Sequence, residues 1–213
     1  MDRHPFYHDG MRELQDRFDG RRVADRLDEH RTHYEFWDEE REWIAQAQFF
    51  FMATTYDSYV DCSVKCGDPG FVRITGPNTI GYPEYDGNYM FRSLGNIARN
   101  PNVGLLFAKF DGKERRIRIN GKATIIDDPA VVSTFHGAKL VVRIECEIYA
   151  NCPRYMPDLL HGKPSPNPPR PGHRPPSPEW KQRDYIRDVL PTDDPFASAD
   201  APQMRTQFNE GDP

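Results

Sequence analysis

Between residues 49 and 150 the chain breaks into short runs that are apolar or alternate apolar with polar: FFFMATT, VDCSVKC, FVRI, TIGY, VGLLFAKF, RRIRINGKATII and VVRIECEIYA. Gly, Pro, Asn and Asp separate them, in GDPG, TGPN, YDGN, FDGK and IDDP. Runs of strand length, rich in β-branched and aromatic residues and bounded by turn formers, read as β-strands. Many such strands at regular spacing predict an antiparallel barrel or sandwich. In RIRINGKATI the alternation leaves one polar face, either wet or buried against a second subunit.

The flanking segments follow other rules. Residues 1–48 are charged and helical in character. Thr32 and Glu35 stand in capping-box spacing, which lets each side chain satisfy the other's orphan backbone amide. Phe36, Trp37, Trp43, Ile44 and Ala47 follow at mostly helical intervals, as a stripe packed on a core would. Residues 164–178 hold eight prolines in fifteen positions, too many for a helix or a central strand. Beyond them EWKQRDYIRDVL predicts one short helix before an acidic, proline-studded end. This last zone reads as an arm, loose or laid over a partner subunit.

Length and charge exclude several classes. A chain of 213 residues fits one domain with extensions, or one domain per subunit. Its formal charge of -5, from Asp+Glu 33 against Lys+Arg 28, argues against a nucleic-acid partner. No apolar run approaches the roughly 20 residues of a membrane span, and the polar N-terminus shows no signal-peptide core. Cys62, Cys66, Cys146 and Cys152 form neither a CxxC pair nor a disulfide framework, so they read as reduced in a cytoplasmic protein, with Cys62 and Cys66 as packed thiols in place of a redox pair. The seven histidines are scattered. His30 and His33, three apart, come nearest to metal-ligand spacing and read as helix or turn residues. No serine–histidine–aspartate motif is visible.

One segment points to a ligand. In YDGNYMFRSLGNIARNP, Arg92 and Ser93 open a helix-like run that Asn100 and Pro101 stop. A guanidinium and a hydroxyl beside free backbone N–H groups suit an anion. An ordinary surface arginine would satisfy the same pattern.

The order of FFFMATT, VDCSVKCGDPGFVRI, TIGYPEYDGNYMFRSLGNIARNPNVGLLF and RRIRINGKATI resembles the pyridoxamine 5'-phosphate oxidase-like family, the FMN-binding split-barrel proteins, over roughly residues 40–155. The resemblance implies a mainly β fold with flanking helices, a homodimeric split β-barrel with FMN in a cleft between two copies. The chain then divides into an N-terminal helical extension (1–48), an FMN-binding split barrel (49–155) and a proline-rich C-terminal arm with one short helix (156–213). Ser63, Val64 and Lys65 would line the polar edge of the ring, with Lys65 stabilising negative charge on its pyrimidine side. Tyr82 and Pro83 would lie near the ribityl chain or ring, and Arg92 and Ser93 would hold the phosphate. Arg116 would supply a polar side chain to the flavin, with Asn88 and Asn96 as neighbours; each has a plain alternative as a turn or surface residue.

Two departures narrow the function. The family commonly carries Lys where this chain has Ser93. The oxidase proper grips its substrate with a C-terminal Arg and His, and NCPRYMPDLLHGKPSPNPPRPGHRPP does not align with that segment. Vitamin B6 oxidation is therefore not expected; Arg154 and Tyr155 are candidates to approach the flavin, and Trp180 to cover the pocket. The expectation is an FMN-dependent oxidoreductase that transfers hydride through flavin N5, with a small organic substrate and NADH or NADPH as donor. The alternatives are deazaflavin or haem in the same groove, or a non-catalytic flavin-binding or interaction protein.

Overall fold

The computed structural model describes residues 7–111, 115–151, 154–173 and 178–197. These fall into two compact units: residues 33–165, and residues 7–32 with the described residues from 166 onward. Cys152, expected to be reduced, and the acidic end beyond residue 197 lie outside the described residues.

All seven strand-like runs of the sequence become strands of one antiparallel sheet in the first unit. They are β2 (Phe49–Tyr56), β3 (Tyr59–Cys66), β4 (Arg73–Gly76), β5 (Thr79–Glu84), β6 (Asn102–Ala108), β7 (Arg116–Ile126) and β8 (Leu140–Asn151). Their order is β3-β2-β6-β7-β8-β5-β4. β2 and β5 stand four places apart in that order, yet the rings of Phe50 and Tyr82 meet at 5.1 Å and the Tyr82 hydroxyl donates to Met52 Sδ at 3.1 Å. Phe50 also packs on Phe71 and Phe107. The sheet therefore curls until strands from opposite ends share one core. Ile80, Ile119, Ile144 and Ile148 fill it with no exposure, each contributing about 1.5–3 kcal/mol by burial.

Asn120-Gly121 would suit a tight turn, but β7 runs straight through it. A Cβ at Gly121 would meet the Glu145 carbonyl oxygen at 2.4 Å, so only glycine lets β8 approach there.

Three helices flank the sheet. Along α3 (Asp38–Gln46) and its flanks, Phe36, Ile44 and Ala47 are buried on the core and Trp43 packs against it, the stripe the sequence predicted. The start of that helix differs from expectation. The Trp37 backbone N–H donates to the Glu40 carboxylate at 3.1 Å, and Glu40 also binds His33 Nε2 at 2.9 Å, so the helix opens at Asp38. Thr32 belongs to a two-residue strand, β1 (Thr32–His33), and its hydroxyl donates to Asp28. α4 (Arg92–Ile97) buries Leu94 and Ile97 and is anchored by Asn96, whose amide donates to Thr54 Oγ1 at 3.0 Å. α5 (Pro129–Val132) is capped by Asp128, which accepts from the Ala130 N–H; the IDDP punctuation is a helix start.

The second unit contains α1 (Asp9–Arg17), α2 (Arg21–Arg31), a 3₁₀ turn over Glu179–Gln182 and α6 (Asp184–Arg187). The single helix expected in EWKQRDYIRDVL is thus split at Arg183, whose extended backbone interrupts it. Arg26 of α2 holds the following segment by donating to the Tyr185 carbonyl and to both oxygens of Asp188. Within the described residues no helix is long and apolar enough to cross a membrane.

Candidate functional site

A cavity of about 310 Å³ opens between β3, the end of β5, the loop 85–91 and the start of α4. Alternation along β3 builds one wall. Residues two apart share a strand face, so Asp61, Ser63 and Lys65 turn together. Asp61 is buried and Ser63 and Lys65 are half-buried, while Val60, Cys62, Val64 and Cys66 on the other face are exposed. That exposure corrects the expectation of packed thiols at Cys62 and Cys66: β3 is the last strand of the sheet order, and among the described residues no layer covers its outer face. Cys146 is buried, and its thiol is pushed up to about 12 by loss of solvation.

The loop 85–91 supplies the opposite wall under strain. Tyr89 and Phe91 adopt φ of 59° and 48°, a left-handed conformation that costs a bulky residue about 1–3 kcal/mol. Asn88 turns the chain by accepting from the Met90 N–H at 3.0 Å. Phe91 leads directly into α4, which delivers Arg92 and Ser93 to the cavity.

The polar groups form a connected set. Ser93 Oγ lies 3.1 Å from Ser63 Oγ and donates to Asp61 Oδ2 at 3.1 Å. Arg92 Nη2 lies 3.2 Å from the other oxygen, Asp61 Oδ1, and the arginine side chain remains 50% exposed. Its guanidinium also sits 5.3 Å from the centre of the Tyr59 ring. Lys65 Nζ donates to both Glu84 oxygens, at 2.9 and 3.2 Å. Lys139 bonds Asp86 and the Tyr89 hydroxyl. The Asp86 bond is the main reason that Lys139 holds its proton above the ordinary lysine range and that Asp86 sits below the carboxylate range.

Of the ten residues expected to touch a cofactor, Ser63, Lys65, Asn88, Arg92 and Ser93 meet in this cavity. The other five do not line it. Val64 is on the exposed outer face of β3. Tyr82 and Pro83 are buried in β5, where burial pushes the Tyr82 phenol well above its usual range. Asn96 is spent on Thr54, and Arg116 Nε donates to Asn151 at 2.6 Å. Arg154 and Tyr155 are absent from the lining, and Trp180 belongs to the other unit. The sequence reading missed Asp61, Glu84 and Lys139. Asp61 had a local signal, standing two residues before Ser63 on the same strand face. Glu84 and Lys139 had none.

His33 and His30 take separate roles: His33 pairs with Glu40 and stacks on Trp37, whereas the His30 ring meets Tyr185. Among the described residues no three His, Cys, Asp or Glu side chains gather as a metal site would require.

The chain is thus a mainly β protein: a curled antiparallel sheet with flanking helices and a donor-rich cavity at its edge strand. The family model for pyridoxamine 5'-phosphate oxidase matches residues 36–159, more than half of the chain. The chain belongs to that family of split-barrel proteins. No curated protein matches it. Similar solved structures include HupZ from Group A Streptococcus (19% identity, 55% of this chain and 96% of that one, TM-score 0.45). General stress protein 26 from Bacillus anthracis is 16% identical over 53% of this chain and 91% of that one, with a TM-score of 0.41. The FAD binding protein from Mycobacterium smegmatis is 16% identical over 56% of this chain and 97% of that one, with a TM-score of 0.38.

Proposed function

We propose that this protein is an FMN-dependent oxidoreductase that works as a homodimer. It transfers hydride to or from a small organic substrate through flavin N5, with NADH or NADPH as the donor. The observation that carries this reading is the convergence of Ser63, Lys65, Asn88, Arg92 and Ser93 on one cavity in a member of this family. The donor set suits the group. Arg92 keeps half of its side chain exposed, enough N–H groups for a phosphate, and Ser63 and Ser93 add hydroxyls. Lys65 carries positive charge on the same wall, which would stabilise the pyrimidine edge of a flavin lying against it.

Bound FMN would supply the hydride chemistry, and the chain's residues would hold, orient and enclose it. Asn96 and Tyr82 contribute from behind, fixing α4 and β5 on β2. Val64 and Val60 support the dimer: 52% and 71% exposed on an edge strand, they form an apolar surface of the kind a second subunit covers. The free thiols of Cys62, Cys66 and Cys146 support a reducing, cytoplasmic setting.

The test is the absorption spectrum and mass of whatever copurifies with the chain, followed by anaerobic addition of NADH and NADPH. A stoichiometric FMN that bleaches with either donor is the expected result. A haem band, a deazaflavin mass or no cofactor after reconstitution would sink the assignment. FMN that neither donor nor substrate reduces would leave a carrier in place of an enzyme.

A further inference from the structure

Every cation lining the cavity already has a carboxylate. Arg92 is paired with Asp61, Lys65 with Glu84 and Lys139 with Asp86. The Asp61 pair matters most, because it sits where a phosphate would be received. The Asp61 side chain is 9% exposed, and both of its oxygens are engaged, one by Arg92 and the other by Ser93. A carboxylate so enclosed is poorly screened by solvent and salt. An anion that takes the remaining N–H groups of Arg92 comes to rest within a guanidinium's width of it.

Resting on the flavin reading above, we infer that Asp61 is a specificity-determining residue that offsets the attraction of Arg92 and Ser93 for a phosphate dianion. The cavity then recognises the body of the flavin and distinguishes FMN only weakly from riboflavin. The competing role for Asp61 is a strut that aims Arg92. The two roles predict opposite effects when the charge is removed. A strut, once lost, weakens phosphate recognition; an offsetting charge, once lost, strengthens it. Asp61→Asn separates them, since the amide keeps the size of the carboxyl and can still accept from Ser93.

Riboflavin, FMN and inorganic phosphate are titrated into apo wild-type and Asp61→Asn protein, with circular dichroism and a thermal melt confirming the fold. Asp61→Asn is expected to raise the ratio of FMN to riboflavin affinity roughly tenfold or more, the usual effect of one close charge. Riboflavin affinity itself should stay within about threefold, because the ring makes no use of this charge. An unchanged or lowered ratio, with riboflavin still bound, overturns the proposal and leaves the flavin reading intact. If neither flavin binds wild-type protein, the flavin reading fails. Inorganic phosphate then decides alone: tighter binding by Asp61→Asn supports the role of Asp61, and equal binding overturns it. Should the variant not fold, the wild-type protein still decides. A preference for FMN below about tenfold supports the proposal, whereas any larger preference overturns it.

Discussion

Arg92 is exposed over half of its side chain, but the carboxylate beside it changes what its removal does. Arg92→Ala deletes a charge-assisted donor, worth about 1.5–3 kcal/mol, and leaves Asp61 without its cation at the cavity wall. With Asp61 facing the phosphate uncompensated, FMN affinity should fall about 10- to 150-fold, to or below that of riboflavin, which lacks the phosphate and should change little. Titration of both ligands into apo protein checks this, and equal losses would make Arg92 a purely structural residue. Lys65 presents the complementary case. Its ammonium is held by Glu84, so Lys65→Ala both removes a positive charge and exposes a negative one. The reduction potential of bound FMN should move to more negative values with binding largely kept. Dye-equilibrium titration measures the potential; FMN lost at an unchanged potential would refute the role. At this scale the sequence was partly legible. Ser63, Lys65, Arg92 and Ser93 stood in recognisable motifs, but their carboxylate partners come from distant positions. Glu84 lies 19 residues from Lys65, and Asp61 lies 32 from Ser93.

Elements were easier to read where one periodicity decided them. The seven longer strands announced themselves by apolar or alternating runs between turn residues, because a strand and its bounding turns are local properties. Helix starts were harder, since several residues compete for each cap. Thr32 and Glu35 had the right spacing, but Glu40 captured the Trp37 amide and set the boundary. The small helices of the second unit depend on side chains more than on their own length, as helices under about 12 residues must. Asp16 is held below its ordinary value of 3.8 chiefly by its bond with Arg21, Asp19 by the Thr192 N–H, and Asp188 by Arg26. A carboxyl depressed in the folded state stabilises the fold above that value, and its contribution disappears as pH falls through and below it. Acidification from pH 6 to about pH 2.5 should therefore lower hydrogen-exchange protection in α1, α2 and α6 before β7 and β8. Arg26→Ala should loosen α6 at neutral pH as well, by roughly 1 kcal/mol, because it also loses the bond to the Tyr185 carbonyl. Equal loss of protection in α6 and the sheet would show that these pairs are incidental.

For the whole molecule the edge of the sheet is decisive. β3 ends the strand order, and Val60 and Val64 on its outer face, with neighbouring Tyr56 of β2, are exposed to solvent. An unpaired apolar edge is a liability that a second copy removes. Sedimentation equilibrium should give a dimer, and an obligate interface of this kind buries roughly 2,000 Å² or more. Val64→Lys, placing a charge on that face, should shift the equilibrium towards monomer and weaken FMN in parallel. A monomer with FMN fully bound would defeat the shared-cleft arrangement.

The sequence by itself determined the seven long strands, the apolar stripe of α3 and the position of α4. These rest on alternation, helical spacing and turn chemistry within a few residues. Only the tertiary structure decided the order β3-β2-β6-β7-β8-β5-β4, the exposure of Cys62 and Cys66, and the pairing of Lys65 with Glu84 and Arg92 with Asp61. Alternation says which side chains share a face. What that face meets depends on how the sheet closes, and closure is the sum of contacts between residues far apart in the chain.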